Sequence, residues 1–203
     1  MRRVPASVLA VVATLGLALG LAGCTSANDG LANTYKAGTN QGFISGDGRI
    51  EEIPADQRGE PVSFTGTEVD GATITSDDYA GEVLVLNFWY AGCGPCRAEA
   101  GVLEAVHSET KDAGASFLGV NIFDRPEQAT AFEKTYGITY PSLLAADDAA
   151  LKLTFADWTS VQSAPTTLVL DKEGRVAARI FGSVAKMESI LSTIVDDAIA
   201  EQL

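Results

Sequence analysis

Basic side chains are scarce: 14 Lys and Arg stand against 27 Asp and Glu in 203 residues, a net charge of −13. A nucleic-acid partner rewards a basic face, so that class of function is disfavoured. Holding an anionic membrane surface by charge alone is disfavoured on the same ground. Histidine is down to one residue, His107, and cysteine to three, Cys24, Cys93 and Cys96. A zinc site normally takes four ligands, and His107 lies about three turns along the helix expected after Cys96, out of reach of Cys93. A c-type haem site lacks its histidine, because Arg97 follows Cys96. No metal and no bound cofactor are expected, and His107 reads as a solvent-facing helix residue. The long apolar stretch Val8–Leu21, interrupted at Thr14, falls short of the roughly 20 residues a membrane-spanning helix needs.

What is present at the N-terminus is an address. Arg2 and Arg3 precede that stretch, which gives it the form of a signal-peptide h-region. The next four residues, Leu21-Ala22-Gly23-Cys24, resemble the lipobox of bacterial lipoproteins. The resemblance implies removal of residues 1–23 and a diacylglyceryl group on Cys24. Buried CH₂ groups contribute ~0.8 kcal/mol each, so two or more acyl chains give stable anchoring. The expected location is the extracytoplasmic face of a bacterial cell membrane, where disulfides persist. Cys93 and Cys96 are then the remaining thiols.

From Cys24 to Gly59 the composition is rich in Gly, Ser, Thr, Asn and Asp and has little apolar periodicity. Residues 24–59 read as a flexible tether, and residues 60–203 as one folded domain. Strands are expected over Pro61–Thr65 and Ala72–Thr75 around the Asp70-Gly71 turn. Val83–Trp89 is a nearly continuous apolar run, the mark of a strand buried on both faces. A helix follows from Cys96 to about Ala113, then a strand from Ser116 to Phe123. Pro126–Tyr136 has helical spacing and a proline suited to a first turn. A short helix over Ala149–Phe155, strands over Thr166–Leu170 and Val176–Phe181, and an amphipathic helix from Met187 to Ala198 complete the pattern. This order implies an α/β fold, helices packed on both faces of a mixed sheet.

Cys93-Gly94-Pro95-Cys96 falls where the buried strand gives way to a helix. A helix N-terminus offers unpaired N–H groups and partial positive charge, which favour a thiolate at the first cysteine. Cys93 is therefore the expected nucleophile and Cys96 the resolving thiol. Pro95 has no N–H to lose there and stiffens the turn.

The whole segment from Asn87 to Glu99, with Phe88-Trp89-Tyr90-Ala91-Gly92 before Cys93 and Arg97-Ala98 after Cys96, resembles the active-site segment of the TlpA/ResA branch of the thioredoxin superfamily. The resemblance runs from near Ser63 to the last helix. It implies a thioredoxin-like fold with an N-terminal β-hairpin and a central insertion between Tyr136 and Ala164. It also implies a membrane-tethered thiol–disulfide oxidoreductase, working without a cofactor and often as a reductant in cytochrome c maturation. Its partners would be substrate proteins with disulfides or thiols and an integral membrane electron-transfer protein.

Residue by residue, Ala164-Pro165-Thr166 matches the family's cis-proline loop, and Glu99 matches a glutamate that lies near the disulfide; Glu99 is expected to assist proton transfer to or from Cys96. Asn87 stands where thioredoxins carry an aspartate, and a neutral amide cannot act as the base for Cys96. Trp89, Gly94, Pro95 and Ala164 are the candidate substrate-binding positions, Trp89 having the alternative of filling space beside the active-site helix. Gly92 and Gly101 depart from the family pattern, which has Trp and Pro there. A peroxiredoxin would carry Thr or Ser at position 90 and Pro at 86; Tyr90 and Leu86 stand there instead. Two alternatives accompany this reading: a thioredoxin-fold lipoprotein that binds a partner without turnover, and a disulfide-forming oxidant.

Overall fold

The computed structural model describes residues 49–159 and 163–202. The lipobox, Cys24 and the proposed signal peptide lie outside them. A six-stranded mixed sheet runs in the order β1-β8-β7-β4-β5-β6. Its strands are β1 (Ile50–Glu52), β4 (Val83–Trp89), β5 (Ala115–Asn121), β6 (Ser142–Leu144), β7 (Thr166–Leu170) and β8 (Val176–Phe181). β4, β5 and β6 are parallel neighbours, whereas β7, β8 and β1 add on antiparallel. Two further strands, β2 (Thr65–Thr67) and β3 (Thr73–Thr75), form a separate hairpin. Asp70 and Gly71 turn it: Gly71 takes φ 94°, and the Asp70 carboxylate accepts the Ala72 N–H at 2.8 Å.

Among the described residues four α-helices flank the sheet: α1 (Gly94–Thr110), α2 (Pro126–Tyr136), α3 (Ala149–Thr154) and α4 (Glu188–Ala200). All seven residues of β4 are buried, as a central strand covered on both faces requires. Alternate residues supply the two cores. Val83 and Val85 join Leu103, Val106, Phe117, Leu191, Ile194 and Val195 on the side of α1 and α4. Leu84, Leu86 and Phe88 meet Val62, Phe64, Leu143, Leu151 and Phe155 on the other side. The insertion between Tyr136 and Ala164 thus supplies β6, α3 and four core residues of the second side, Leu143, Ala145, Leu151 and Phe155. Chain order and layering are those of a thioredoxin-like α/β fold.

Three expectations are corrected. The ordered domain starts before Glu60: Ile50–Glu52, read as tether, pairs with Ile180–Ala178 at the sheet edge. Arg58 belongs to it as well. Its nearly buried guanidinium binds Asp171 at 2.9 Å and Glu201 at 2.6 Å, fastening this segment to the β7–β8 turn and the end of α4. Breaking a buried ion pair of this kind costs about 3 kcal/mol, since the partner charge is left in a poor solvent. The first hairpin strand begins at Thr65 rather than Pro61. Pro61 to Phe64 join no strand ladder, but Val62 and Phe64 are inserted into the core.

His107 is the third correction. It is half-buried, its ring 5.4 Å from Phe117 and 5.5 Å from Tyr140. Burial pushes its pKa below the usual imidazole value. It is an aromatic packing residue rather than a solvent-facing one.

Candidate active site

β4 ends at Trp89 and α1 starts at Gly94, so the four residues between them form a short loop at the carboxyl edge of the central strand. Cys93 is the N-cap of α1, and its Sγ accepts the Cys96 N–H at 3.1 Å. This satisfies one of the orphan N–H groups of the first turn. Cys93 and Cys96 are joined as a disulfide with Cα atoms 5.2 Å apart. Both are nearly buried, at 3% and 2% exposure, whereas Gly92, Gly94 and Pro95 around them are exposed. A thiolate formed at Cys93 on reduction would keep the Cys96 N–H and the positive end of α1.

Glu99 lies one helical turn past Cys96, on the same side of α1 and fully buried. The carboxylate receives the Asn87 side-chain N–H at 3.0 Å on Oε1 and the Val184 N–H at 2.9 Å on Oε2. Burial pushes its pKa up to about 7, against the opposing pull of hydrogen bonds from Val184, Asn87 and Ser183. Asn87 and Cys96 line one small internal cavity together with Trp89, Tyr140 and Ser142. Glu99 is not part of that lining, but it is joined to it through the hydrogen bond from Asn87.

The Ala164–Pro165 bond is cis. Pro165 is buried, and Ala164 is half-buried against the cluster of Trp89, Cys93, Cys96 and Ala100. The structure thus brings Cys93, Cys96, Ala164 and Pro165 to one place, with Glu99 beneath them. Trp89 requires correction as a substrate-binding residue. It is 3% exposed, and its ring lies 4.3 Å from Phe132 of α2. It supports the active-site helix from inside. Gly101 is exposed in an unbroken α1.

Two partners of the site had no signal in the sequence. Val184 follows β8, separated from Glu99 by 85 positions, and contributes only a backbone N–H, which any residue type could do. Asp124 follows β5. Its carboxylate accepts the Ala91 N–H at 2.5 Å and the Asn121 side-chain N–H at 2.8 Å, which ties the active-site loop to the neighbouring strand. Among the described residues no group of three or more His, Cys, Asp or Glu is placed to hold a metal ion.

Residues 59–179 match the model of the AhpC/TSA family, well over half of the chain. The chain belongs to the AhpC/TSA family. Curated relatives narrow the class within it. The chain is 29% identical over 123 residues to the thiol-disulfide oxidoreductase ResA of Geobacillus kaustophilus, covering 61% of this chain and 68% of that protein. It is 33% identical over 120 residues to the thiol:disulfide interchange protein HelX of Rhodobacter capsulatus, covering 59% and 62%. Among solved structures, a secreted thiol-disulfide isomerase from Corynebacterium glutamicum superposes with a TM-score of 0.69 at 27% identity, covering 78% of this chain and 97% of that one. With a paired Cys93 and Cys96 in the matching fold, the chain is a thiol–disulfide oxidoreductase of thioredoxin-like type.

Proposed function

We propose that this chain is a reductant of protein disulfides at the outer face of a bacterial cell membrane, held there by a lipid on Cys24. The observation that carries the reductive cycle is the pairing of Cys93, at the N-terminus of α1, with Cys96 one turn below it beside the buried Glu99. In the reduced enzyme the Cys93 thiolate attacks one sulfur of a substrate disulfide. A mixed disulfide forms and the substrate's other sulfur leaves as a thiolate. Glu99, as the carboxylate, takes the proton from Cys96. The Cys96 thiolate attacks Cys93 Sγ, closing the Cys93–Cys96 disulfide and releasing the second substrate thiolate. Two electrons have passed to the substrate, and Glu99 returns its proton to solvent or product.

Each turnover leaves the protein in the disulfide form, so continued reduction requires a donor of two electrons. An integral membrane electron-transfer protein is the donor that fits a chain anchored at that surface. The Ala164 backbone beside Cys93 offers an extended substrate segment an edge to pair with. Substrates in cytochrome c maturation or a related extracytoplasmic pathway fit this scheme. The reducing direction is supported by Gly94-Pro95 between the cysteines, and the anchor by Leu21-Ala22-Gly23-Cys24 after an apolar run.

The direction is tested by equilibrating the protein in thiol/disulfide buffers and measuring the reduction potential of Cys93/Cys96. A value near or below about −240 mV is expected, close to the thioredoxin range. A value above about −180 mV would make the protein an oxidant or isomerase. The anchor has its own test. Cys24→Ala should move the protein from the membrane fraction to the soluble fraction, and a variant that stays membrane-bound would remove the lipid from the scheme.

A further inference from the structure

We propose that Phe123 and Tyr90 form an aromatic shelf beside Cys93 that binds an apolar side chain of the substrate polypeptide close to its reacting cysteine. This rests on the oxidoreductase reading above and adds what the site selects. Phe123 lies between β5 and α2 and is 69% exposed. Its ring centroid is 5.5 Å from that of Tyr90, with the planes at 45°. Tyr90 in turn borders the reactive cysteine: its carbonyl accepts the Cys93 N–H at 3.1 Å. Its ring lies along Gly92, where a Cβ would stand only 3.3 Å from Cε2. Phe123, Tyr90, Gly92 and Cys93 therefore make one continuous strip.

The exposure of Phe123 is built in. Asn121 Oδ1 accepts the N–H groups of Phe123 at 3.1 Å and Asp124 at 2.8 Å. Asp124 then fastens this turn to Ala91, two residues before Cys93. The ring is held out from a fixed turn beside the reactive loop. Single exposed apolar residues are common on protein surfaces and require no function. This one differs because it is paired with a second aromatic and hydrogen-bonded through its own turn to the active-site loop.

The occupant follows from the surroundings of the sulfur. Cys93 is 3% exposed, so a substrate disulfide reaches it only with its flanking residues resting on the rim. On that rim Gly92, Gly94, Pro95 and Ala164 present little side chain. The shelf is the large apolar surface continuous with Cys93. A ligand that fills both must carry a sulfur and an apolar side chain a few residues apart, as a polypeptide substrate does. A small disulfide such as glutathione disulfide has no group for the shelf.

Two synthetic peptides test this. Each has one cysteine and is oxidised to its disulfide-linked dimer; they differ only two residues after the cysteine, where one has Phe and the other Ser. In single turnover the reduced full-length protein is expected to reduce the Phe peptide with a second-order rate constant about tenfold larger, equivalent to ~1.4 kcal/mol. Phe123→Ser should bring that ratio below about twofold, whereas Leu153→Ser, at another exposed apolar position, should leave it near ten. A ratio that survives Phe123→Ser, or a wild-type protein that treats the two peptides alike, overturns the shelf. A wild-type dimer that becomes monomeric on Phe123→Ser, with peptide preference unchanged, assigns the shelf to a second copy and overturns it too. A wild-type protein that reduces neither peptide overturns the reductant reading itself, an outcome distinct from equal rates on both.

Discussion

Cys93→Ser is expected to bring reduction of every disulfide substrate to background, while Cys96→Ser is expected to stall the cycle with substrate covalently attached to Cys93. The asymmetry comes from the position of the two sulfurs. Cys93 caps α1 and is bordered by exposed Gly92, Gly94 and Pro95, so it is the sulfur a substrate meets first. Its Sγ already receives the Cys96 N–H at 3.1 Å, which would stabilise negative charge there in the reduced protein. A serine hydroxyl at position 93 is no nucleophile toward a disulfide at neutral pH, so no mixed disulfide forms. With serine at 96 the first attack proceeds, but no thiolate stands behind Cys93 to release the product. Mass spectrometry under non-reducing conditions would show a Cys96→Ser adduct equal to protein plus substrate, removed by dithiothreitol. An adduct on Cys96 in Cys93→Ser, formed as fast as on Cys93 in Cys96→Ser, would reverse the assigned roles. Unchanged partner binding by the double serine variant, with no turnover in the wild type, would favour a binding protein.

The parts of the fold visible in the sequence are those whose burial is written locally. The run Val83–Trp89 is apolar throughout because both faces of β4 are covered. Pro126 and the spacing of Ala129 and Phe132 mark α2 by its own first turn and buried stripe. β7 and β8 announce themselves by apolar residues on either side of a Glu173-Gly174 turn. β1 and β6 do not. Each has three residues, too few for a period of two to stand out, and each owes its conformation to the strand it joins. The tether reading of residues 49–59 failed for that reason: their order comes from β8 and from a buried Arg58 whose acceptors are more than a hundred residues away.

The site divides along the same line. Cys93, Gly94, Pro95 and Cys96 form a local chemical unit, legible without tertiary contacts. Glu99 could be selected from its spacing to Cys96, but its environment is assembled from β4 and the segment after β8. Trp89 was misplaced because nearness to Cys93 along the chain says nothing of direction. At the end of β4 its ring turns inward onto Phe132. Phe123 and Asp124 carry no motif, since their relation to the active-site loop exists only once β5 lies beside β4.

Glu99→Gln is the other substitution with a large expected effect, and its signature is a change in pH dependence. In the folded protein burial holds the carboxyl protonated up to about pH 7, compared with 4.5 in the unfolded chain. Below 4.5 it is protonated in both states, and its contribution to stability is fully present. As pH rises from there, the unfolded chain ionises first and is favoured, so stability falls until the folded carboxyl also ionises near 7. The whole descent is on the order of 3 kcal/mol. Glutamine cannot ionise; its oxygen can accept the Val184 N–H, and its NH2 finds an acceptor in Asn87 once that amide turns its oxygen inward. Urea unfolding of the oxidised protein should therefore show wild type losing stability between about pH 4.5 and 7 relative to Glu99→Gln. The catalytic consequence has the opposite sense. In the proposed cycle the Glu99 carboxylate, formed near neutrality, is the base for Cys96, and loss of a positioned base slows its step by about 10²-fold or more. Single-turnover release of substrate from the Cys93 mixed disulfide should accelerate through pH 7 in wild type and lack that rise in Glu99→Gln. A variant with the stability change but an unaltered release profile would leave Glu99 a buried structural acid and remove it from the proton path.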